Sequence, residues 1–194
     1  MKTKLKTLTA VAVLGAIMYT GPVLAADYVI DTKGAHASVN FKIKHLGYSW
    51  LTGRFDKFGG SFSFDKENPN ASKISVEIDT NSINSNHAQR DKHLRSKDFL
   101  DVAKFPKAMF VSTSIEAKAG DTAVVNGKLT LHGVTKDIAI NAEYVGGGKD
   151  PWGGFRQGFS GSTRITLADY GINFNLGPKS KELELTLHIE GIRQ

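Results

Sequence analysis

The chain has no cysteine, so disulfide scaffolds, thiolate metal sites and cysteine nucleophiles are excluded together. It lacks the GxxxxGK[ST] phosphate loop and any GxGxxG that opens a helix, which removes the commonest nucleotide cradles. It has no HExxH zinc helix. Proline is scarce, with five residues beside 20 glycines, so neither a collagen-like nor a low-complexity polymer is present. Charge of one sign is also scarce once it is placed along the chain. Three of the 25 basic residues, Lys2, Lys4 and Lys6, fall in the first segment, and the remainder carries 22 basic against 19 acidic residues. That balance is weak for a nucleic-acid binder, and no nucleic-acid partner is expected.

What is present first is a leader. Residues 1–25 read MKTKLKTLTAVAVLGAIMYTGPVLA. A lysine-rich start precedes an apolar run from Leu8 to Tyr19, short for a membrane span. Gly21-Pro22 breaks it, and Val23-Leu24-Ala25 offers a cleavage site before Ala26. The expectation is a secretory signal peptide over 1–25 and a single domain over 26–194, exported to a bacterial periplasm. With no cysteine there is no lipid anchor at the cleavage site. Beyond the leader no apolar run is long enough to span a membrane as a helix.

Period-two alternation then dominates. Val39, Phe41, Ile43 and His45 share one face against Asn40, Lys42 and Lys44. Ile74, Val76 and Ile78 form a second set, Val125, Gly127, Leu129 and Leu131 a third. Ile138, Ile140, Ala142 and Tyr144 follow, and the cleanest run is Leu183, Leu185, Leu187 and Ile189 against Glu182, Glu184, Thr186 and His188. Strands with one greasy and one polar face belong to antiparallel sheet. Gly59-Gly60, Asn68-Pro69-Asn70, Ala119-Gly120-Asp121, His132-Gly133 and Gly146-Gly147-Gly148 read as turns, with His132-Gly133 a hairpin. Eight or nine strands result, and with so little helix to cover it the sheet must curl onto itself.

Alternation disappears over 81–106. Asn86 is placed to cap a helix through HAQRDKHLRS with Leu94 facing inward. Asp98 is placed to cap a second short turn carrying Phe99, Leu100 and Val102, and Pro106 ends it. His87, Asp91 and His93 lie close in this insertion. A hydrogen-bonding cluster, with Arg90, that pins the helix to the barrel is favoured there over a metal site, and no metal or cofactor is expected. Gly158-Phe159-Ser160-Gly161-Ser162 imitates a nucleophile elbow but lacks its second glycine and continues as a strand. No catalytic residue is assigned. The aromatics Phe41, Tyr48, Trp50, Phe55, Phe58, Phe62 and Phe64 crowd together, and periodicity alone leaves a packed core and an apolar tunnel equally open.

Four ordered segments, HASVNFKIKHLGYSWLTGRF (36–55), NHAQRDKHLRSKDFLD (86–101), LTLHGVTK (129–136) and DPWGGFRQGF (150–159), resemble the YceI family of secreted bacterial polyisoprenoid-binding-like proteins. Lys136-Asp137 departs from the proline that many relatives have after the basic residue, a detail of strand entry. The resemblance covers nearly all of 27–194. It implies an all-β fold, an extended lipocalin-like antiparallel barrel of about eight strands with one short helical insertion near 86–102. It further implies an isoprenoid lipid or polyprenyl-quinone-type amphiphile held inside, with transient membrane contact.

With that implication, strand parity makes Phe41, Ile43, Phe62, Phe64, Val76 and Ile78 candidates for the tunnel wall, joined by Phe110, Leu129, Leu131, Ile140 and Phe159. The insertion contributes Leu94, Phe99 and Leu100. His45, His87, Arg90, Asp91, His93 and Trp152 are candidates for the mouth and head group. Two other readings stay open. One is a quinone- or lipid-modifying enzyme whose histidines converge on one polar point. The other is a filled barrel acting as a stress or interaction protein without ligand. An open sheet edge would allow a homodimer.

Overall fold

The computed structural model describes residues 25–194, so the leader lies outside the described residues except for Ala25. Eleven strands form one antiparallel sheet. They are β1 (Ala26–Ile30), β2 (Ser38–His45), β3 (Ser49–Phe55), β4 (Phe58–Phe64), β5 (Lys73–Asp79), β6 (Ile83–Asn84), β7 (Lys107–Ala117), β8 (Thr122–Leu131), β9 (Val134–Lys149), β10 (Phe155–Thr166) and β11 (Glu182–Arg193). The ring β1–β4–β5–β7–β8–β9–β10–β11 closes through the β1–β11 pairing. This is an eight-stranded barrel, and closure leaves no open edge within that ring.

The other three strands extend it. β11 pairs with β2 along Leu183–His188 and with β1 along Gly191–Arg193. β1 and β2 therefore act as one long strand interrupted at 31–37. β3 pairs with β2 while β4 pairs with β1, so that lane is also split in two. The upper continuation of the wall runs β11–β2–β3–β6. Residues 85–106 follow β6 and pack over it, with Arg95 donating from its guanidinium to the Ile83 carbonyl at 3.2 Å.

Inward positions are those the alternation marks. On β8, Val125, Leu129 and Leu131 are buried while Lys128 is exposed. Three phenylalanine rings are seated on glycine. Phe41 covers its cross-strand partner Gly53, Phe110 covers Gly127, and Phe62 covers Gly191. A Cβ at Gly53 would meet both the Phe41 ring and the Asn84 carbonyl oxygen, at 2.8 and 2.9 Å. A glycine opposite an aromatic ring lets the ring lie flat on the strand.

His132-Gly133 is the expected two-residue hairpin, with both residues at positive φ (50° and 74°). That is the twist a tight hairpin needs. His132 tolerates the position because its Nδ1 reaches the Tyr170 carbonyl oxygen at 3.0 Å. Two glycine clusters are not turns. Gly59 and Gly60 lie within β4, and a Cβ on Gly60 would collide with the backbone of β5. Gly146, Gly147 and Gly148 lie within β9, where Val145 has no partner on β10 and the register shifts by one residue. Glycine here accommodates a bulge and a close backbone approach.

The helix is shorter than the sequence suggested, Ala88–Leu94. Its cap is His87, whose Nδ1 accepts from the Arg90 amide at 3.2 Å, and not Asn86, which adopts a left-handed conformation at φ 61°. The second short turn expected after the helix is present, but Asp98 does not cap it. Residues 95–104 are turns, and Asp98 bonds the His93 ring instead, at 3.1 Å.

Candidate ligand-binding site

The barrel is filled at one end and hollow over the rest. At the filled end Tyr28 stacks on Phe62 with centroids 5.0 Å apart, and Phe62 meets Phe159 edge-on at 5.4 Å. Phe64 packs edge-on against Phe159 and stacks on Tyr144. These rings, with Ile30, make a core separate from the main one. Phe62 and Phe64 were expected in the tunnel wall; they belong to this plug. Their parity is inward as expected, but their height along the barrel puts them below the hollow part.

Above the plug lies a cavity of about 460 Å³, within the range of small-molecule sites. Phe159 forms its floor. Phe41, Ile43, Val76, Ile78, Phe110, Leu129, Leu131 and Ile140 stand in its walls, and Leu94, Phe99 and Leu100 from the insertion also line it. The reading of a barrel filled from end to end is thereby overturned. The sequence assignment missed the whole inner face of β11, Leu183, Leu185, Leu187 and Ile189, although its alternation was plain. It also missed Ile172, Phe174 and Leu176, which line the cavity from an irregular segment with no periodicity to read. Polar groups in the wall are few. Thr163 spends its hydroxyl on the Ala139 carbonyl at 2.7 Å.

The mouth is built by the β2–β3 hairpin, the helix and residues 172–180. His45, Arg90 and His93 reach it, as do Lys44, Leu46 and Ser180. His93 is wedged edge-on between Phe99 and Phe174, at 5.0 and 5.2 Å. Arg90 donates Nε to the Ser85 hydroxyl at 2.7 Å and Nη2 to the Ser85 carbonyl at 2.6 Å. The Asp91 carboxylate accepts from both the amide and the hydroxyl of Ser85. Ser85 is thus the hub that fixes helix to barrel.

Three mouth candidates lie elsewhere. His87 is the exposed helix cap, and Asp91 is buried against Ser85 behind the wall. Trp152 sits at the opposite end, 77% exposed, in the β9–β10 connection. His87 therefore does not join His45 and His93, which both line the mouth. Trp152 instead packs on Arg156, whose guanidinium carbon is 5.6 Å from its ring. Arg156 ties Asp31 at 2.7 Å and Asp150 at 2.8 Å and also binds Glu190. One fork-shaped cation thereby clamps the β1–β2 bend, the β9–β10 connection and β11. Asp31, His36 and Glu190 have donor atoms within 4.8 Å of one another, as a metal site would require. The Arg156 guanidinium already occupies both carboxylates there.

Fold and cavity together define an antiparallel β-barrel with an internal apolar cavity, closed at one end and open at the other. Residues 28–191 match the YceI-like domain, and the chain belongs to that family. It is 57% identical over 189 residues to a UPF0312 protein of Pseudomonas aeruginosa, spanning 97% of this chain and 98% of the relative. A UPF0312 protein of Azotobacter vinelandii is 55% identical over the same shares. Among solved structures, Burkholderia cenocepacia BcnA superposes with a TM-score of 0.74 at 22% identity, over 83% of this chain and 98% of that one. The Campylobacter jejuni YceI protein gives 0.70 at 29%, over 78% and 90%. A polyisoprenoid binding domain from Saccharophagus degradans, described as implicated in plant cell wall breakdown, gives 0.64 at 20%, over 88% and 99%.

Proposed function

We propose that this protein binds an isoprenoid lipid or a polyprenyl-quinone-type amphiphile inside the barrel and carries or stores it in the periplasm, after export on the leader at 1–25. The observation that carries this reading is the open, apolar cavity of about 460 Å³. Left to water, an apolar lining of that extent forgoes the hydrophobic stabilisation that burial would give. A guest with an apolar tail recovers it. The structural likeness to a polyisoprenoid binding domain supports the same class of guest.

Energetics favour a carrier over a trap. Burying a tail of ~40 carbons from water is worth ~30 kcal/mol, beyond the ~18–21 kcal/mol at which non-covalent affinity saturates. The working donor is therefore a bilayer, where the tail is already out of water, and transfer into the barrel is close to neutral. His45, Lys44 and Arg90 at the mouth select the polar end. Of the histidines, His45 and His93 both line the mouth, while His87 is committed to the helix cap and does not join them.

The test is native mass spectrometry of protein purified from its own host, followed by organic extraction. A bound mass stepping in prenyl units is the expected result. Protein that emerges bare, or bound to something without an apolar tail, overturns the assignment.

A further inference from the structure

We infer that the rim of the mouth is a docking surface for an anionic lipid bilayer. The inference rests on the carrier reading and adds where and how the barrel meets its donor.

Leu46 and Phe174 both line the cavity and face solvent, at 51% and 45% exposure. Cavity lining and outer surface therefore meet at these two residues. Tyr48 at the hairpin tip, 87% exposed, and Trp50, 47% exposed, add to the exposed apolar group. Lone exposed apolar residues need no explanation, but large ones grouped around one opening mark an interaction surface. Tyrosine and tryptophan are the side chains suited to the headgroup layer, with an apolar body and a polar tip.

Charge selects the occupant. At the hairpin, residues 42–51 hold Lys42 and Lys44 and no acidic residue; Lys42 is paired across the sheet with Glu184 at 3.0 Å, and Lys44 has no ion pair among the described residues. Residues 170–181 hold Lys179 and Lys181 and again no acidic residue. The Lys42 and Lys44 ammonium groups lie 4.7 and 5.5 Å from the centre of the Trp50 ring. The Lys179 stem lies over Gly47, so close that a Cβ there would meet its Cγ at 3.2 Å. Apolar tip and basic fringe thus share one face. A second copy of this chain would bring the same cations together, whereas an anionic headgroup layer neutralises them while the aromatic tip enters it.

The chain has two tryptophans, and they sit at opposite ends of the barrel. Trp152→Phe leaves Trp50 as the single reporter, and Trp50→Phe leaves Trp152. Each protein is mixed with vesicles of phosphatidylcholine containing about a quarter phosphatidylglycerol and a bilayer-buried quencher. Trp50 emission is expected to move to shorter wavelength and be quenched, while Trp152 does not respond. Lys44→Gln and Lys179→Gln, both on exposed side chains, should each weaken binding about fivefold, as should added salt. Tyr48→Ser, at the most exposed of the large apolar side chains among the described residues, should weaken it without touching the fold.

Silence of Trp50, an equal response to phosphatidylcholine alone, or a spectral shift that tracks protein concentration without vesicles overturns the proposal. The last result would assign the rim to self-association. Lipid content, read separately by extraction, keeps the two readings apart. Protein that retains lipid but ignores vesicles overturns docking alone. Protein that docks but is bare after purification overturns the carrier reading alone.

Discussion

Phe159 meets Phe62 edge-on, with planes at 86° and centroids 5.4 Å apart, and this pair separates the hollow part of the barrel from its filled end. Phe159 belongs to both regions, as floor of the cavity and as a member of the aromatic plug. The depth available to a guest is set at that ring.

Phe159→Ala should therefore lengthen the cavity at a cost in stability. Phe159 is half-buried and faces the cavity on one side, so the loss should fall below the ~3–5 kcal/mol of a fully packed phenylalanine, to be read as a lower urea midpoint at unchanged slope. Mass spectrometry of the bound lipids should show longer tails than the parent protein holds. Destabilisation with an unchanged tail distribution would mean that the floor does not measure length.

Ser85 should control how firmly the helix closes on the barrel. Its hydroxyl and amide serve Asp91 while its hydroxyl and carbonyl serve Arg90. Ser85→Ala removes one shared partner and leaves a buried carboxylate short of a donor. The expected loss is ~1–3 kcal/mol, with faster amide hydrogen exchange over 88–95 than in the parent. Unchanged exchange in the helix would show that apolar contacts of Leu94, Phe99 and Leu100 hold it unaided.

Much of this arrangement was legible in the sequence. The inner wall follows from alternation, since Val125, Leu129 and Leu131 are on one face and that face must be buried. The hairpin at His132-Gly133 follows from turn chemistry. Parity, however, gives the side of a strand and not the height along a barrel, so Phe62 and Phe64 could not be told from Phe41. A glycine run has one composition in a turn and in a bulged strand, which hid the course of β9 through Gly146–Gly148. The segment DPWGGFRQGF carried part of the family resemblance and supplied Trp152 as a mouth candidate. Its chemistry is spent on the Arg156 clamp, and the partners Asp31 and Glu190 are far away in sequence. Phe174 and Leu176 lie in a stretch with no period to detect.

That clamp has a pH signature. Hydrogen bonds from Arg156 and from the Gly34 amide, with a smaller one from His36, bring Asp31 down from its ordinary 3.8 to about 2. Asp150 is lowered in the same way, chiefly by Arg156. A carboxylate whose folded-state pKa lies below its unfolded value adds stability that is fully present above the unfolded value. It is lost as pH falls through the folded one. Urea midpoints should hold from neutral pH to about 4 and then drop toward 2. Arg156→Ala should lower the midpoint at neutral pH and flatten the acid limb, and Arg156→Lys should restore little, because one ammonium cannot reproduce the fork. An acid limb unaffected by Arg156→Ala would place the acid-sensitive groups elsewhere.

The most direct test of a hollow, guest-holding barrel is to fill it. Leu129 is 6% exposed and lines the cavity, so Leu129→Trp places an indole in the space assigned to the tail. The wild type and this variant are purified alike, shown to be folded by near-ultraviolet circular dichroism, and extracted for bound lipid. The expected result is lipid from the wild type and a folded, empty variant. Equal amounts of the same lipid from both would contradict binding inside the barrel.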